Sequence, residues 1–229
     1  MKVIAISDIH EHLDTIKLIY NDIKNADVLV ISGDITIYGN SRSAVKVISN
    51  IRRINNNILA VIGNLDDESV LKYLESENIS IHGRGCQIDN VGFFGVGGSN
   101  KTPFNTPTEY SEETIKEILS KGYEMVKDAE VKIMVTHMPP FNTKCDLTAS
   151  GQHVGSTAVR KFITQNLPHI NLTGHIHESK NVDTVGRTKI INTGLFEEGG
   201  YAYFDTSDSS GFFKNATLLN AHDQDQEQS

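Results

Sequence analysis

The chain contains five apolar runs that are each followed at once by aspartate, asparagine or histidine. Most of these runs lack polar alternation and are rich in β-branched residues, which is typical of strands buried on both faces. The runs and the polar residues that follow them are 3–7 before Asp8 and His10, 28–33 before Asp34, 58–63 before Asn64, 131–136 before His137, and 171–174 before His175 and His177. Because ligands of open α/β sheets bind beyond the carboxyl ends of the strands, these five ends predict a single site.

Segments with apolar residues at helical spacing follow the first three runs and predict crossover helices. These segments are residues 13–23, 44–51 and 70–74, with Asp66 or Asp67 as the N-cap of the third. Alternation of strands and helices favours a parallel sheet with helices on its faces. Further along, the pattern predicts strands at 79–82, 86–89, 91–96, 131–136, 169–173, 183–185, 188–192, 201–206 and 212–219, and helices at 109–127 and 155–166.

The length of the chain and the lack of a linker-like segment predict a single domain over residues 1–221. The chain has 229 residues, of which 38% are hydrophobic, and this is enough for one sizeable core. Residues 222–229 carry no apolar side chain, so we expect them to form a disordered tail.

Charge and cysteine content restrict the partners and the compartment. A net charge of −8 provides no basic field for nucleic acid, so such a partner is not expected. Cys86 and Cys145 are too few for a disulfide framework. No apolar run approaches the length of a membrane span, and no apolar leader precedes the first strand. We therefore expect a soluble, cytoplasmic protein with no membrane partner.

Each polar residue at these strand ends also has an ordinary structural explanation. Asp8 and Asp34 could cap helices, Asn64 could be a turn residue, and His137 could be a hydrogen-bonded, partly buried histidine. These explanations would have to place matching groups at five strand ends by chance. Imidazole and carboxylate together suit divalent transition metals, so the pattern favours a metal site.

The order of these motifs resembles that of the calcineurin-like metallophosphoesterases. That family carries Asp-x-His, Gly-Asp, Gly-Asn-His-Asp/Glu, a histidine after a strand, and Gly-His-x-His. This sequence has, in the same order, Asp8-Ile9-His10, Gly33-Asp34, Gly63-Asn64-Leu65-Asp66, His137 and Gly174-His175-Ile176-His177. The motifs span residues 8–177, and the segments 137–140, 153–156 and 174–178 resemble a compact prokaryotic subgroup of predicted phosphoesterases.

The resemblance implies an α/β fold built as a four-layer α-β-β-α sandwich, with the site at the carboxyl ends of the strands. It also implies two divalent cations that share the carboxylate of Asp34. The ligands would be Asp8, His10, Asp34 and His177 for one cation, and Asp34, Asn64, His137 and His175 for the other. A hydroxide bridging both cations would hydrolyse a phosphate ester, as a phosphodiesterase or a broad-specificity phosphatase. Mn²⁺, Fe²⁺, Ni²⁺, Co²⁺ and Zn²⁺ all suit such ligands, so the sequence does not choose among them.

The sequence departs from the family pattern at Leu65, where the family has the histidine that acts near the leaving group. Leucine cannot donate a proton to a departing alkoxide. His12 and His153 are the candidate replacement acids, although His12 could instead start a helix and His153 could be a loop surface residue. Alternatively, the enzyme prefers esters whose leaving groups need little help. Asp66 would orient the missing histidine, so here we expect it to cap a helix.

Two further functions have to be weighed against hydrolysis of a small phosphate ester. The first is a non-catalytic scaffold stabilised by metal, which would not need to retain every ligand. The second is a nuclease, which the acidic balance of the chain disfavours. Because all the predicted ligands are present, catalysis on a small phosphate ester is the expectation.

Overall fold

The computed structural model describes residues 1–207 and 215–224. Its strands are β1 Lys2–Ile6, β2 Val28–Ser32, β3 Ile58–Val61, β4 Gly85–Ile88, β5 Val91–Val96, β6 Ser99–Asn100, β7 Glu109–Tyr110, β8 Val131–Thr136, β9 Ile170–Thr173, β10 Asn181–Val185, β11 Thr188–Asn192, β12 Gly200–Asp205 and β13 Thr217–Asn220. Its α-helices are α1 Tyr20–Asn25, α2 Ser41–Arg52, α3 Glu68–Ser76, α4 Glu112–Glu124, α5 Thr157–Asn166 and α6 Ala221–Gln224.

The first sheet has five strands in the order β13-β12-β1-β2-β3. Strands β1, β2 and β3 are parallel, whereas β12 and β13 extend the sheet beyond β1 in antiparallel fashion. Ile6 pairs with Ile31, and Ser32 pairs with Val61. The three parallel strands therefore end at one edge, which brings together the residues that follow them.

The second sheet has six strands in the order β10-β11-β9-β8-β5-β4. Its four central strands are parallel, and an antiparallel strand lies at each edge. Val96 pairs with Thr136, and Val135 pairs with Leu172. The segments after β8 and β9 consequently leave the sheet side by side, and the amide of Gly174 donates to the carbonyl of His137.

Alternate side chains of the central strands pack on opposite sides of each sheet. In β1, Ile4 belongs to the core under the helices of the first half, and Ala5 belongs to the core between the two sheets. In β8, Ile133 faces the core between the sheets, whereas Met134 packs with residues of α4 and α5. Both faces of each sheet are thus covered, which explains the apolar runs and produces the predicted four layers.

The main helices begin at polar caps. The side chains of Asn40, Ser111 and Ser156 accept backbone amides at the starts of α2, α4 and α5. At the start of α3 the cap is Asp67, whose carboxylate accepts from the amides of Ser69 and Val70. The expected capping role of Asp66 is wrong, because its buried carboxylate is used elsewhere.

Several predicted boundaries shift. Residues 13–23 form a 3₁₀ turn at Asp14–Lys17 followed by α1, and residues 79–82 contribute isolated bridges at Ser80 and His82. The helix predicted at 109–127 starts at Glu112, because β7 pairs with β6 first.

The predicted C-terminal elements lie partly outside the described residues. Of the strand predicted at 212–219, residues 212–214 are outside, and β13 runs over Thr217–Asn220. Of the predicted tail at 222–229, the first three residues complete α6, and residues 225–229 are outside. Cys86 and Cys145 are free thiols. Within the described ranges, no helix is both long enough and apolar enough to cross a membrane.

Candidate metal centre

The polar residues at the strand ends meet at the end of the sandwich where the parallel strands of both sheets terminate. Asp8 and His10 follow β1, and Asp34 and Asn64 follow β2 and β3 of the same sheet. Residues after β8 and β9 of the other sheet complete the set, namely His137, His175 and His177. The amide of Asp8 donates to the carbonyl of Gly33, which aligns the loops after β1 and β2. Residues far apart in the sequence are therefore brought together by strand register alone.

One group of possible ligands consists of Asp8, His10 and His177, whose ligand atoms lie within 4.8 Å of one another. His177 Nε2 is 3.1 Å from Asp8 Oδ1 and 3.5 Å from His10 Nε2. Asp8 is fully buried, and His10 is nearly so. Three groups with lone pairs thus point into one small volume, as a cation would require.

A second group of possible ligands consists of Asp8, Asp34 and His137, within the same distance of one another. Asp34 Oδ2 is 3.4 Å from His137 Nε2 and 3.9 Å from His10 Nε2, so this carboxylate lies between the two groups. Asn64 Oδ1 is 2.9 Å from His137 Nε2. The arrangement places Asp34 where a shared ligand would stand.

His175 is close to the second group without being part of it. Its ring centroid is 5.0 Å from that of His137, and its backbone amide donates to the Asp8 carboxylate at 3.1 Å. The backbone of His175 therefore supports Asp8. Its predicted role as a side-chain ligand stays a prediction.

Four of these residues have left-handed backbone conformations. The φ angles are 53° at Asp8, 48° at His10, 47° at Asp34 and 68° at His175. Each such residue costs about 1–3 kcal/mol and persists only where the surrounding structure imposes it. This concentration of backbone strain at one edge of the sheets is typical of a functional site.

His137 is oriented by a backbone carbonyl. Its Nδ1 lies 2.9 Å from the carbonyl oxygen of Ser32, and a carbonyl can only accept. Nδ1 therefore carries a proton, which leaves the lone pair of Nε2 directed at Asn64 Oδ1. With Asn64 Oδ1 in this position two acceptor atoms face each other, an arrangement that a second proton on the imidazole or a shared cation would satisfy.

The pKa values of the ligand groups are set by the opposing effects of burial and of neighbouring charges. Burial opposes ionisation of Asp8, but the hydrogen bond from His177 and the nearby charge of His137 lower the pKa of Asp8 well below its usual range. Burial of His137 is outweighed by the charge of Asp34, which raises its pKa to about 9. Burial lowers the pKa of His175 to about 4. Protons and a divalent cation would compete for the same lone pairs, so metal binding would release protons.

The donor set fits divalent transition metals. Imidazole nitrogens and carboxylate oxygens suit them, and two buried carboxylates carry the charge that a cation neutralises. In the part of the chain that the structure describes, His10 Nδ1 is buried without a hydrogen-bond partner, although such atoms are rare in folded proteins. The residues present therefore fit a divalent metal centre.

Two glycines allow the ligands to approach the backbone. A Cβ atom at Gly63 would overlap the carboxylate of Asp34, and one at Gly174 would overlap Ser7 Oγ and Asp8 Oδ2. The motif glycines before Asn64 and His175 are therefore needed for space around the site.

Replacing Gly174 by alanine is expected to weaken metal binding by about 10–100-fold, because the new methyl group displaces the Asp8 carboxylate. The measurement is titration of the purified protein with Mn²⁺. Gly186→Ala is the control for the steric overlap: Gly186, unlike Gly174, has positive φ, so its variant carries backbone strain, but its Cβ would meet only Leu167 at 3.5 Å. Equal affinities in the two variants would contradict the assigned position of Asp8.

Asp66 anchors the loops that carry Asp34 and Asn64, a role that the sequence pattern did not predict. Its two carboxylate oxygens accept from the amides of Ile35, Thr36 and Gly63 and from the Thr36 hydroxyl, at 2.7–3.1 Å. Burial and the nearby charge of Asp34 raise the pKa of Asp66 to about 6. Its place in the family motif was the available signal, although the motif predicted contact with the missing histidine.

The two candidate acids differ in their surroundings. His12 is exposed on the loop after β1, where its amide donates to the carbonyl of Ile9. His153 is half-buried and hydrogen-bonded to Asp146. Leu65 is also half-buried, and its backbone amide donates to Asp34 Oδ1 at 2.9 Å. Position 65 thus supports the Asp34 carboxylate through its backbone, while its side chain has no proton to give.

A family model described as calcineurin-like phosphoesterase matches residues 1–179. The match runs from the first strand to two residues beyond His177, so it includes every predicted metal ligand. The chain belongs to the calcineurin-like phosphoesterase family. The resemblance drawn from the motifs is confirmed, and the protein is a metal-dependent phosphoester hydrolase.

Relatives of this phosphoesterase agree with its fold. It is 39% identical over 198 residues to an uncharacterized protein of Methanocaldococcus jannaschii, over 84% of this chain and 87% of that protein. A crystal structure from Thermus thermophilus has a TM-score of 0.73 at 18% identity, covering 96% of this chain and 98% of the other. A dimetal phosphatase from Danio rerio has a TM-score of 0.57 at 11% identity, covering 89% and 92%. At such identities the solved structures show the shared fold alone, and the predicted sandwich is confirmed.

Proposed function

We propose that this phosphoesterase hydrolyses small phosphate esters with two divalent cations. The cations would be held where the carboxyl ends of the parallel strands of its two sheets meet. The observation that carries the proposal is the position of Asp34, whose Oδ2 lies within 4 Å of a histidine from each ligand group. A carboxylate is the side chain able to bridge two cations about 3.5–4 Å apart. The ligands would be Asp8, His10, Asp34 and His177 for one cation, and Asp34, Asn64, His137 and His175 for the other.

The chain's own residues would hold and orient the reactants. When bound, the cations would supply Lewis-acid stabilisation of the phosphoryl group and lower the pKa of a water that attacks it. Asp34 would be kept in place by the Leu65 amide, and His137 by the Ser32 carbonyl. These contacts leave the remaining lone pairs of both side chains available at the centre.

The charge of the site favours an anionic substrate. Two cations against the carboxylates of Asp8 and Asp34 leave a net charge of about +2 before any water ionises, and this attracts a phosphate ester. The rest of the chain is acidic, with a net charge of −8, which disfavours a long polyanion. A small phosphate mono- or diester is therefore the substrate class we propose, acted on by a phosphodiesterase or broad-specificity phosphatase.

Metal removal tests this function. The protein is stripped with a chelator and then assayed on 4-nitrophenyl phosphate and bis(4-nitrophenyl) phosphate, alone and after addition of Mn²⁺, Ni²⁺ or Zn²⁺. We expect no turnover by the stripped protein and restored turnover with at least one transition metal. Turnover that survives complete removal of metal would contradict the proposal. Two bound ions without any hydrolysis would favour the scaffold instead.

A further inference from the structure

A histidine–aspartate pair lies in the loop between β8 and α5. His153 Nδ1 is 2.7 Å from Asp146 Oδ1, and the side chain of His153 is 30% exposed while that of Asp146 is fully buried. Since a carboxylate accepts, Nδ1 carries the proton of this bond, and Nε2 is the nitrogen left for other partners. The pair resembles the arrangement in which a buried acid orients a histidine for proton transfer.

Asp146 is held rigidly by its own hydrogen bonds. It accepts from the backbone amides of Asn142, Thr143 and Gly155 at 2.8–3.0 Å. The carboxylate thus fastens both ends of the loop and holds His153 against it. Because three backbone amides fix the buried carboxylate, the orientation of the imidazole is set before any substrate binds.

The loop is attached directly to the segment that carries two predicted ligands. Asn192 is fully buried, and its Nδ2 donates to the carbonyls of Cys145 and Ile176, each at 3.0 Å. Ile176 stands between His175 and His177, and Cys145 precedes Asp146. The side-chain amide of Asn192 therefore joins the loop of Asp146 to the segment that carries His175 and His177.

Two further contacts bring His153 itself towards this segment. Ser179, two residues after His177, donates its hydroxyl to the carbonyl of Leu147. Leu147 forms an antiparallel bridge with His153, which places their Cα atoms about 4.5–5.5 Å apart. Ala149 of the same loop donates its amide to the Glu178 carboxylate at 3.3 Å. His153 therefore lies in a loop that is bonded to the segment carrying His175 and His177.

An ester with an alkoxide leaving group needs a proton donor, which position 65 does not provide. An alkoxide leaving group is strongly basic, and general acid catalysis contributes about 10²–10⁴-fold to its departure. Leu65 cannot supply that proton. Of the two candidate histidines, His12 is exposed, whereas His153 is oriented by a buried acid.

We propose that His153, oriented by Asp146, is the general acid that protonates the leaving group in this phosphoesterase. The inference rests on the proposed hydrolysis of phosphate esters. As the bond between phosphorus and the leaving oxygen breaks, its electron pair stays on that oxygen, which takes the proton from Nε2 of the doubly protonated imidazole. The ring is then neutral, keeps the Nδ1 proton on Asp146, and recovers its lost proton from solvent. Asp146 supplies the counter-charge while both nitrogens are protonated.

The test compares His153→Gln with the parent protein on two esters of one class, a 4-nitrophenyl ester and the matching methyl ester, after loading with Mn²⁺. We expect kcat for the methyl ester to fall by about 10²–10⁴-fold, while kcat for the 4-nitrophenyl ester changes less than about tenfold, because nitrophenolate leaves without a proton. KM is expected to change little in both cases. His169→Gln is the control, since His169 is also half-buried but precedes β9 at the end away from the centre.

A second readout needs neither metal nor turnover. Nitrogen-15 spectra of the imidazoles in the metal-free protein should show His153 protonated on Nδ1 and coupled to a carboxylate, and Asp146→Asn should abolish that signature. Equal losses on both esters in His153→Gln would overturn the proposal, as would a selective loss in His12→Gln alone. If the parent protein hydrolyses neither ester, the proposed function itself fails, whereas a parent active on both leaves only the role of His153 to be judged.

Discussion

Replacing Asp34 by asparagine is expected to reduce phosphate ester hydrolysis by more than about 10²-fold. Loss of a residue that merely supports a metal ligand typically costs about 10–100-fold, and Asp34 is proposed to hold both cations. The amide can still accept from the Leu65 backbone through Oδ1, but it cannot place an anionic oxygen between His10 and His137. The measurement is kcat/KM on the best 4-nitrophenyl ester, together with the metal content of the purified variant.

The fold of the Asp34→Asn protein should be retained, because the two side chains have the same shape. Burial is the main reason for the raised pKa of Asp66, and removing the Asp34 charge relieves the repulsion that adds to it. Asp14→Asn is the control for the chemical change, since the Asp14 side chain is 96% exposed on a surface turn. An Asp34→Asn protein with full activity and two bound ions would show that the carboxylate is not shared.

Replacing Asp66 by asparagine is expected to destabilise the protein by about 1–3 kcal/mol. Each oxygen of Asp66 accepts two hydrogen bonds, and all four partners are donors. In its better orientation an asparagine NH₂ group would face Thr36, whose hydroxyl can turn to accept, and would leave the Thr36 amide unpaired at about 1–3 kcal/mol. The measurement is the free energy of unfolding in urea of the metal-free protein.

The neighbouring residue provides a matched control for this substitution. Asp67 caps α3 through its side chain, and asparagine is about as good a cap as aspartate. Asp67→Asn should therefore change the free energy of unfolding by only a few tenths of a kcal/mol. If the two variants lose similar stability, Asp66 does not anchor the two loops in the way the structure indicates.

The convergence of the strand ends could be predicted from sequence, because apolar runs buried on both faces are typical of the parallel strands at the centre of a sheet. The runs that precede the candidate ligands form parallel strands, and the carboxyl ends of parallel strands lie on the same side of a sheet. Asp8, Asp34 and His137 each follow such a run, so their convergence required no knowledge of long-range contacts. The four layers follow in the same way, since Ile4 and Ala5 must bury opposite faces of one strand.

The supporting residues could not be predicted, because their partners are distant and have no periodic signal. Asp66 bonds to an amide 31 residues away, and Asn192 joins two loops through carbonyls at 145 and 176. Asp146 looks like an ordinary polar loop residue in the sequence. Helix ends were misplaced for a related reason, because two-residue strands such as β7 are too short to leave a pattern.

At Leu65 the family motif retains its structural contacts but lacks the side chain that would donate a proton. The motif still holds the loop of Asp34, through the backbone amide of Leu65 and the side-chain carboxylate of Asp66. Only the proton donor is lost with the histidine side chain. The proposed transfer of that role to His153 is possible because its loop is attached to the segment between β9 and β10.

The most direct test of a shared two-cation centre is the electron paramagnetic resonance spectrum of the protein loaded with two equivalents of Mn²⁺. Two ions bridged by Asp34 at about 3.5–4 Å should give a spin-coupled spectrum. We expect this coupled signal in the parent protein and its loss in Asp34→Asn. Two bound ions with the spectrum of isolated Mn²⁺, or saturation at a single ion per chain, would contradict a shared centre.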